Sequence, residues 1–230
     1  MALYRHSLQT EIRKPISIGY QLFLPSGYEE HDDTKKWPLI VFLHGINRRG
    51  EDLSALDGYG LPALAESRGI FKFIVAAPQC PSHSFWPMER DGVMAMIDHL
   101  AATCRIDESR IYLTGFSMGG NGAWDLAARY PERFAAVAPL AGWYQPETAA
   151  LLKDVPIWAF HGEDDDVVPV SGTKEMAEAL EAIGGNVAYT IYPGLKHPIM
   201  SETYRNSELY KWFLQHQAPQ PSRPDVRQED

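Results

Sequence analysis

Short apolar runs that stop at glycine or proline recur along the chain. "PLIVFLHG", "FKFIVAAP", "RIYLTG", "RFAAVAPLAG" and "PIWAFHG" are continuously apolar rather than alternating. Such runs, bounded by turn residues, predict strands buried on both faces, as in a parallel sheet. "PISIGYQLFLP" and "NVAYTIYPG" alternate instead, and predict two further strands, the early one antiparallel. Helical periodicity fills the intervals. "DGVMAMIDHLAATC" puts Val93, Met96, Ile97 and Leu100 on one face. "MGGNGAWDLAARY" ends before Pro131, and "TKEMAEALEAIGG" ends in a glycine suited to the residue after a helix C-cap. Strand, helix, strand in repetition predicts an α/β sheet with crossover helices. There is no internal repeat. From Ala218 the chain turns into the proline-rich, charged "APQPSRPDVRQED", which cannot bury a core. One domain over residues 1–217 and a disordered tail over 218–230 are expected.

Composition narrows what this sheet can serve. With 230 residues, one large α/β domain has a sizeable core. The net charge is −9 and the basic residues are scattered, which argues against nucleic acid or an anionic membrane as partner. The start, "MALYRHSLQTEIRKPISIGY", reaches no apolar h-region, and no run is long enough to span a bilayer; a cytoplasmic location is the default expectation. Cys80 and Cys104 lack C-x-x-C spacing, so two buried free thiols are expected rather than a disulfide. No Gly-x-Gly-x-x-Gly follows a strand and no Walker loop occurs, so no cofactor is expected. His44 and His161 each belong to a His-Gly at a strand end. With no second ligand at helical or hairpin spacing, they read as loop-orienting residues and no metal is expected. Oligomeric state has no signature here.

Candidate chemistry centres on "RIYLTGFSMGGNGAW", where a strand pattern becomes a helix pattern. Gly115, Ser117 and Gly119 have the Gly-x-Ser-x-Gly spacing of a nucleophile elbow, a strained strand-to-helix turn that projects the serine hydroxyl above the sheet. The helix beginning there aims amide N–H groups and its positive dipole end at the serine. A hydroxyl is a poor nucleophile at neutral pH, so a base and a carboxylate that orients it should follow in the order Ser, Asp or Glu, His. Three histidines follow: His161 at a strand end, His216 at the end of the last helix, and His197 in "YPGLKHPIM", just after the final strand. His197 stands where the base belongs. For the acid, "HGEDDDVVP" offers Glu163, Asp164, Asp165 and Asp166, and pattern alone does not choose between them.

"LIVFLHGINRRGED", "GFSMGG", "HGEDDDVVPV" and "YPGLKHP", in that order, resemble the α/β-hydrolase superfamily, and within it the phospholipase/carboxylesterase group with its relatives labelled predicted peptidases. The likeness runs from about Pro38 to Leu214. It implies a mostly parallel sheet of about seven or eight strands with helices on both faces. The family pattern His-Gly-x-x-Asp-x-x-Val-Pro matches His161, Gly162, Val168 and Pro169, which assigns the acid to Asp165. It also implies an oxyanion hole from the backbone N–H groups of Ile46 and Met118. One departure is Lys196, where the family usually carries a small residue before the catalytic histidine; a side chain directed to solvent reconciles the two.

Between "RFAAVAPLAG" and the next strand, residues 141–156 are too few for a cap domain. An open cleft is therefore expected, which suits a bulky or polymeric acyl or alcohol group better than a sealed lipid tunnel would; the expected partner is a small-molecule or polymer-borne ester. Trp86, Trp143 and Tyr144 follow strand ends and are candidate cleft residues, whereas Trp124, inside a helix, reads as core. Arg48 and Arg49 either meet an anionic substrate or pair with Glu51 and Asp52. The resemblance favours a serine carboxylesterase acting through an acyl-enzyme on Ser117. The alternatives are a serine peptidase of the same fold, an acyltransferase using the same intermediate, and a non-catalytic binding protein of that fold. A serine, not a cysteine, at the elbow disfavours a dienelactone hydrolase.

Overall fold

The structure, a computed structural model, describes residues 13–29, 34–67 and 71–219, with positions 4, 6, 7, 9 and 10 before them. Among the described residues seven strands form one sheet: β1 (Tyr20–Phe23), β2 (Trp37–Leu43), β3 (Ile74–Pro78), β4 (Ile106–Phe116), β5 (Ala136–Leu140), β6 (Ile157–Gly162) and β7 (Val187–Tyr192). The sheet order is β1-β3-β2-β4-β5-β6-β7; β1 runs antiparallel to β3 and every other pairing is parallel. All seven residues of β2 are buried, which explains why it shows no polar alternation.

Helices α1 (Gly60–Ser67), α2 (Arg90–Thr103), α3 (Met118–Arg129), α4 (Ser171–Ala182), α5 (Met200–Arg205) and α6 (Ser207–Phe213) cover both faces. Successive side chains of a strand point to opposite sides, so β2 divides its core between them. Leu39, Val41 and Leu43 pack with Val93, Met96 and Ile97 of α2, Trp124 of α3 and Met176 of α4. Ile40 and Phe42 pack with Leu61 of α1, Tyr204 of α5 and Phe213 of α6. Trp124 is core, as its helix position indicated. Beyond α4, Gly184 has φ +69°, the left-handed conformation that ends a helix at low cost in glycine.

Residues 141–156 hold only a short 3₁₀ segment, Pro146–Leu152, and build no additional layer over the sheet. β2 is flanked by β3 on one side and β4 on the other, so the chain winds away in both directions from the β2/β4 junction. That reversal opens a crevice at the strands' carboxyl ends. The body also runs past residue 217: Ala218 is buried among the residues around Phe213, and its amide donates to the Ser109 carbonyl. The rest of the expected tail, 220–230, lies outside the described residues. Cys80 and Cys104 are both free; Cys80 is buried, as expected, but Cys104 is only half-buried. Among the described residues no helix is long and apolar enough to cross a membrane.

Candidate active site

The last residue of β4 is Phe116 and the first of α3 is Met118, so Ser117 alone makes the turn. It does so at φ 57°, ψ −116°, a conformation costly for a residue with a Cβ. The glycines around it make so sharp a turn possible. A Cβ on Gly115 would overlap the Gly119 carbonyl, and a Cβ on Gly119 would overlap the carbonyl oxygen of Leu43 at the end of β2. The Ser117 amide donates to the Leu140 carbonyl of β5 at 2.9 Å, which anchors the turn to the neighbouring strand.

The His197 imidazole reaches this turn from the loop after β7. Its Nε2 is 2.9 Å from Ser117 Oγ and its Nδ1 is 2.7 Å from Asp165 Oδ2. Asp165 sits after β6. Its Oδ1 accepts from the amides of Val167 (2.9 Å) and Val168 (2.8 Å), leaving Oδ2 for the imidazole. An acceptor at Nδ1 fixes the proton there and leaves the Nε2 lone pair for the serine hydroxyl. Burial alone would raise the Asp165 carboxyl. The hydrogen bonds from His197, Val168 and Val167 outweigh it and hold the group below the usual carboxylate range.

Both His-Gly histidines support loops. His161 Nε2 lies 2.9 Å from the Val168 carbonyl and 3.2 Å from Asp165 Oδ2, while its Nδ1 meets Thr173 Oγ1 at 2.8 Å. It therefore braces the turn that carries Asp165. His44 accepts from the Cys80 amide at Nε2 (3.0 Å), and its Nδ1 donates to the Gly45 carbonyl (2.7 Å). Burial pushes its pKa down to about 4, against the raising effect of the Gly45 carbonyl, so it is a neutral tie between β2 and the strand beside it. Lys196 extends outward and pairs with exposed Asp166 at 2.9 Å. Among the described residues no group of three or more His, Cys, Asp or Glu side chains could hold a metal ion.

Met118 is the first residue of α3, so its amide has no acceptor four residues back. Ile46 opens a 3₁₀ turn directly after β2 and Gly45. A cleft of about 450 Å³ opens beside Met118. Its walls come from residues 85–90, from α3 and from residues 143–145, and its aromatic residues are Phe85, Trp143 and Tyr144. Arg90 donates through Nε and Nη2 to both oxygens of buried Asp125, and Tyr144 donates its hydroxyl to the same carboxylate at 3.0 Å. Burial and the neighbouring Asp125 charge push the Tyr144 phenol up to about 12, so it stays a hydroxyl.

Of the three candidate cleft residues, Trp143 and Tyr144 line this cavity and Trp86 does not. It is fully buried against Gly122 and donates Nε1 to the His44 carbonyl; its neighbour Phe85 faces the cleft instead. Asn121, Arg90 and Asp125 were not candidates. The available signal was the four-residue spacing of Ser117, Asn121 and Asp125, which puts all three on one face of α3. Arg48 lies over the Tyr59 ring and Arg49 over the Phe85 ring, at 4.7 and 4.9 Å. Glu51 receives Ser82, and Asp52 caps the Leu53–Leu56 turn through the Ser54 amide. Of the two readings of Arg48 and Arg49, pairing with Glu51 and Asp52 is not the arrangement found; both guanidinium groups stack on rings instead.

The phospholipase/carboxylesterase family matches residues 89–211. The chain is 32% identical over 166 residues to the "Probable feruloyl esterase C" of Aspergillus terreus, covering 69% of this chain and 58% of that protein. It is 28% identical over 184 residues to the bifunctional acetylxylan esterase/xylanase XynS20E of Neocallimastix patriciarum, covering 76% and 26%. A crystal structure of a thermostable esterase superimposes with TM-score 0.78 at 35% identity, covering 87% of this chain and 59% of that one. The chain thus spans less than two thirds of each of these proteins.

Proposed function

The chain belongs to the phospholipase/carboxylesterase family, within the α/β-hydrolase superfamily, and we propose that it is a serine carboxylesterase in which Ser117, His197 and Asp165 act as a catalytic triad. The observation that carries this reading is the unbroken chain from Ser117 Oγ through both imidazole nitrogens to Asp165. Ser117 Oγ attacks the ester carbonyl as His197 Nε2 takes its proton. The imidazolium that forms is stabilised by Asp165 and then protonates the departing alcohol oxygen. Water attacks the acyl-enzyme with His197 again as base, and releases the acid and the free serine.

The oxyanion is received by the backbone N–H groups of Met118 and Ile46. Supporting this pair, Met118 opens α3 and Ile46 follows the β2 end that packs against Gly119. Each such donor contributes roughly 3 kcal/mol to the transition state. That residues 141–156 build no layer over the sheet supports an accessible cleft, fit for an ester carried on a bulky or polymeric group. Hydrolysis of p-nitrophenyl esters from acetate to palmitate, wild type beside Ser117→Ala, tests the reading, with fluorophosphonate labelling in parallel. Turnover abolished by the substitution is expected. No turnover and no labelling would leave a binding protein.

A further inference from the structure

We infer that the cleft beside Met118 is the acyl pocket and that it selects a flat ring bearing a hydroxyl group, so that esters of hydroxylated aryl acids are the preferred substrates. This rests on the serine esterase reading. The leaving alcohol must face His197 Nε2 to receive its proton, and the oxyanion lies at Met118 and Ile46. The acyl group is left to point away from the imidazole. No wall of the cleft comes from the loop that carries His197, so the cleft lies on the acyl side.

Ser117, Asn121 and Asp125 follow one face of α3, and at 1.5 Å per residue Asp125 stands about 12 Å along the axis from the nucleophile. An acetyl group would leave most of that length empty. Phe85 and Trp143 are 47% and 50% exposed, yet both are fixed. Arg49 lies over Phe85, the Trp143 amide donates to Asn121 Oδ1 at 2.8 Å, and a Cβ on Gly172 of α4 would overlap that of Trp143. Held ring surfaces favour a flat partner that stacks without further ordering.

Asp125 and Arg90 lie at the far end of the cleft. Asp125 is 3% exposed and its charge is matched by Arg90, so this end suits a neutral polar group rather than an ion. Two of the five guanidinium N–H groups go to Asp125. A substrate hydroxyl accepts from the remainder and donates to the Tyr144 oxygen. A chain ending in methyl would desolvate these groups without replacing their hydrogen bonds.

The test is kcat/KM for methyl p-hydroxycinnamate, methyl cinnamate and methyl hexanoate, on wild type, Tyr144→Phe and Trp143→Ala. Wild type should prefer the hydroxylated ring over the bare one by about tenfold, the worth of one hydrogen bond to a charged group. Tyr144→Phe should shrink that ratio, and Trp143→Ala should lower both ring esters relative to hexanoate. Equal rates for the three esters on wild type would overturn the inference. So would a stronger preference for p-hydroxybenzyl acetate, which carries the ring on the alcohol. p-Nitrophenyl acetate separates the two failures: turnover of it without ring preference sinks the acyl pocket alone, and its absence together with absent labelling sinks the esterase reading.

Discussion

Replacing Asp165 by asparagine should nearly abolish turnover without displacing any residue, and the reason lies in the two backbone donors behind it. Oδ1 accepts from both the Val167 and Val168 amides. An asparagine keeps those bonds only if its carbonyl oxygen takes the Oδ1 place. Its amide nitrogen then occupies the Oδ2 place, 2.7 Å from His197 Nδ1. An NH₂ group can only donate, so Nδ1 must become the acceptor and the imidazole proton moves to Nε2. In that tautomer His197 has no lone pair for the Ser117 proton. The expected loss is about 10⁴-fold in kcat, close to 5 kcal/mol of barrier. Initial rates on an unactivated methyl ester measure it, and ¹⁵N spectra of the imidazole report the tautomer directly. Within tenfold of wild-type activity, or a spectrum still showing Nδ1–H, would refute the reasoning. A larger loss in Asp164→Asn would move the acid to the neighbouring residue.

Ser117→Gly should be more stable than Ser117→Ala by about 1 kcal/mol in urea unfolding. Both lose the hydroxyl, and only glycine is relaxed at φ 57°; the ordinary order, alanine above glycine, would contradict the strain. Acid should destabilise the fold through His44, whose pKa falls from the ordinary 6.5 to about 4 on burial. Between those values the unfolded chain binds a proton that the native state does not, so stability declines as pH drops from about 6.5 to 4. The full effect is about 3 kcal/mol. The difference in unfolding free energy between wild type and His44→Asn, followed across that window, should change in this sense; a constant difference would mean that His44 is not held neutral.

The strands were legible because burial on both faces removes polar positions from them: β2, β3, β5 and β6 each lie in a continuous apolar run, while β4 does so only from Ile111, its first half being the polar and partly exposed Asp107–Arg110. α1 was not. Gly60–Ser67 spans two turns with a proline near its start, and its place comes from Leu61 packing beside Phe42 and Tyr204, contacts that no local pattern announces. The same distinction governs the site. Ser117 was readable because its turn must be written in glycine, at 115 and 119, wherever backbone approaches backbone. Asp165 was separable from Asp164 only through family resemblance, since the choice depends on which carboxylate the turn directs at Val167 and Val168. Trp86 and Phe85 exchange roles for a similar reason. A 3₁₀ turn starting at Trp86 sends that ring under α3 and leaves its neighbour outside, a one-residue decision that aromatic content does not record. The cleft floor was the least legible part, because Arg90 and Asp125 are 35 residues apart and meet only when α2 and α3 pack on the same face of the sheet. Chemistry that depends on a local backbone constraint leaves a motif, whereas selectivity assembled from distant segments leaves an unremarkable aspartate in a helix. The substrate series is therefore worth running on wild type first.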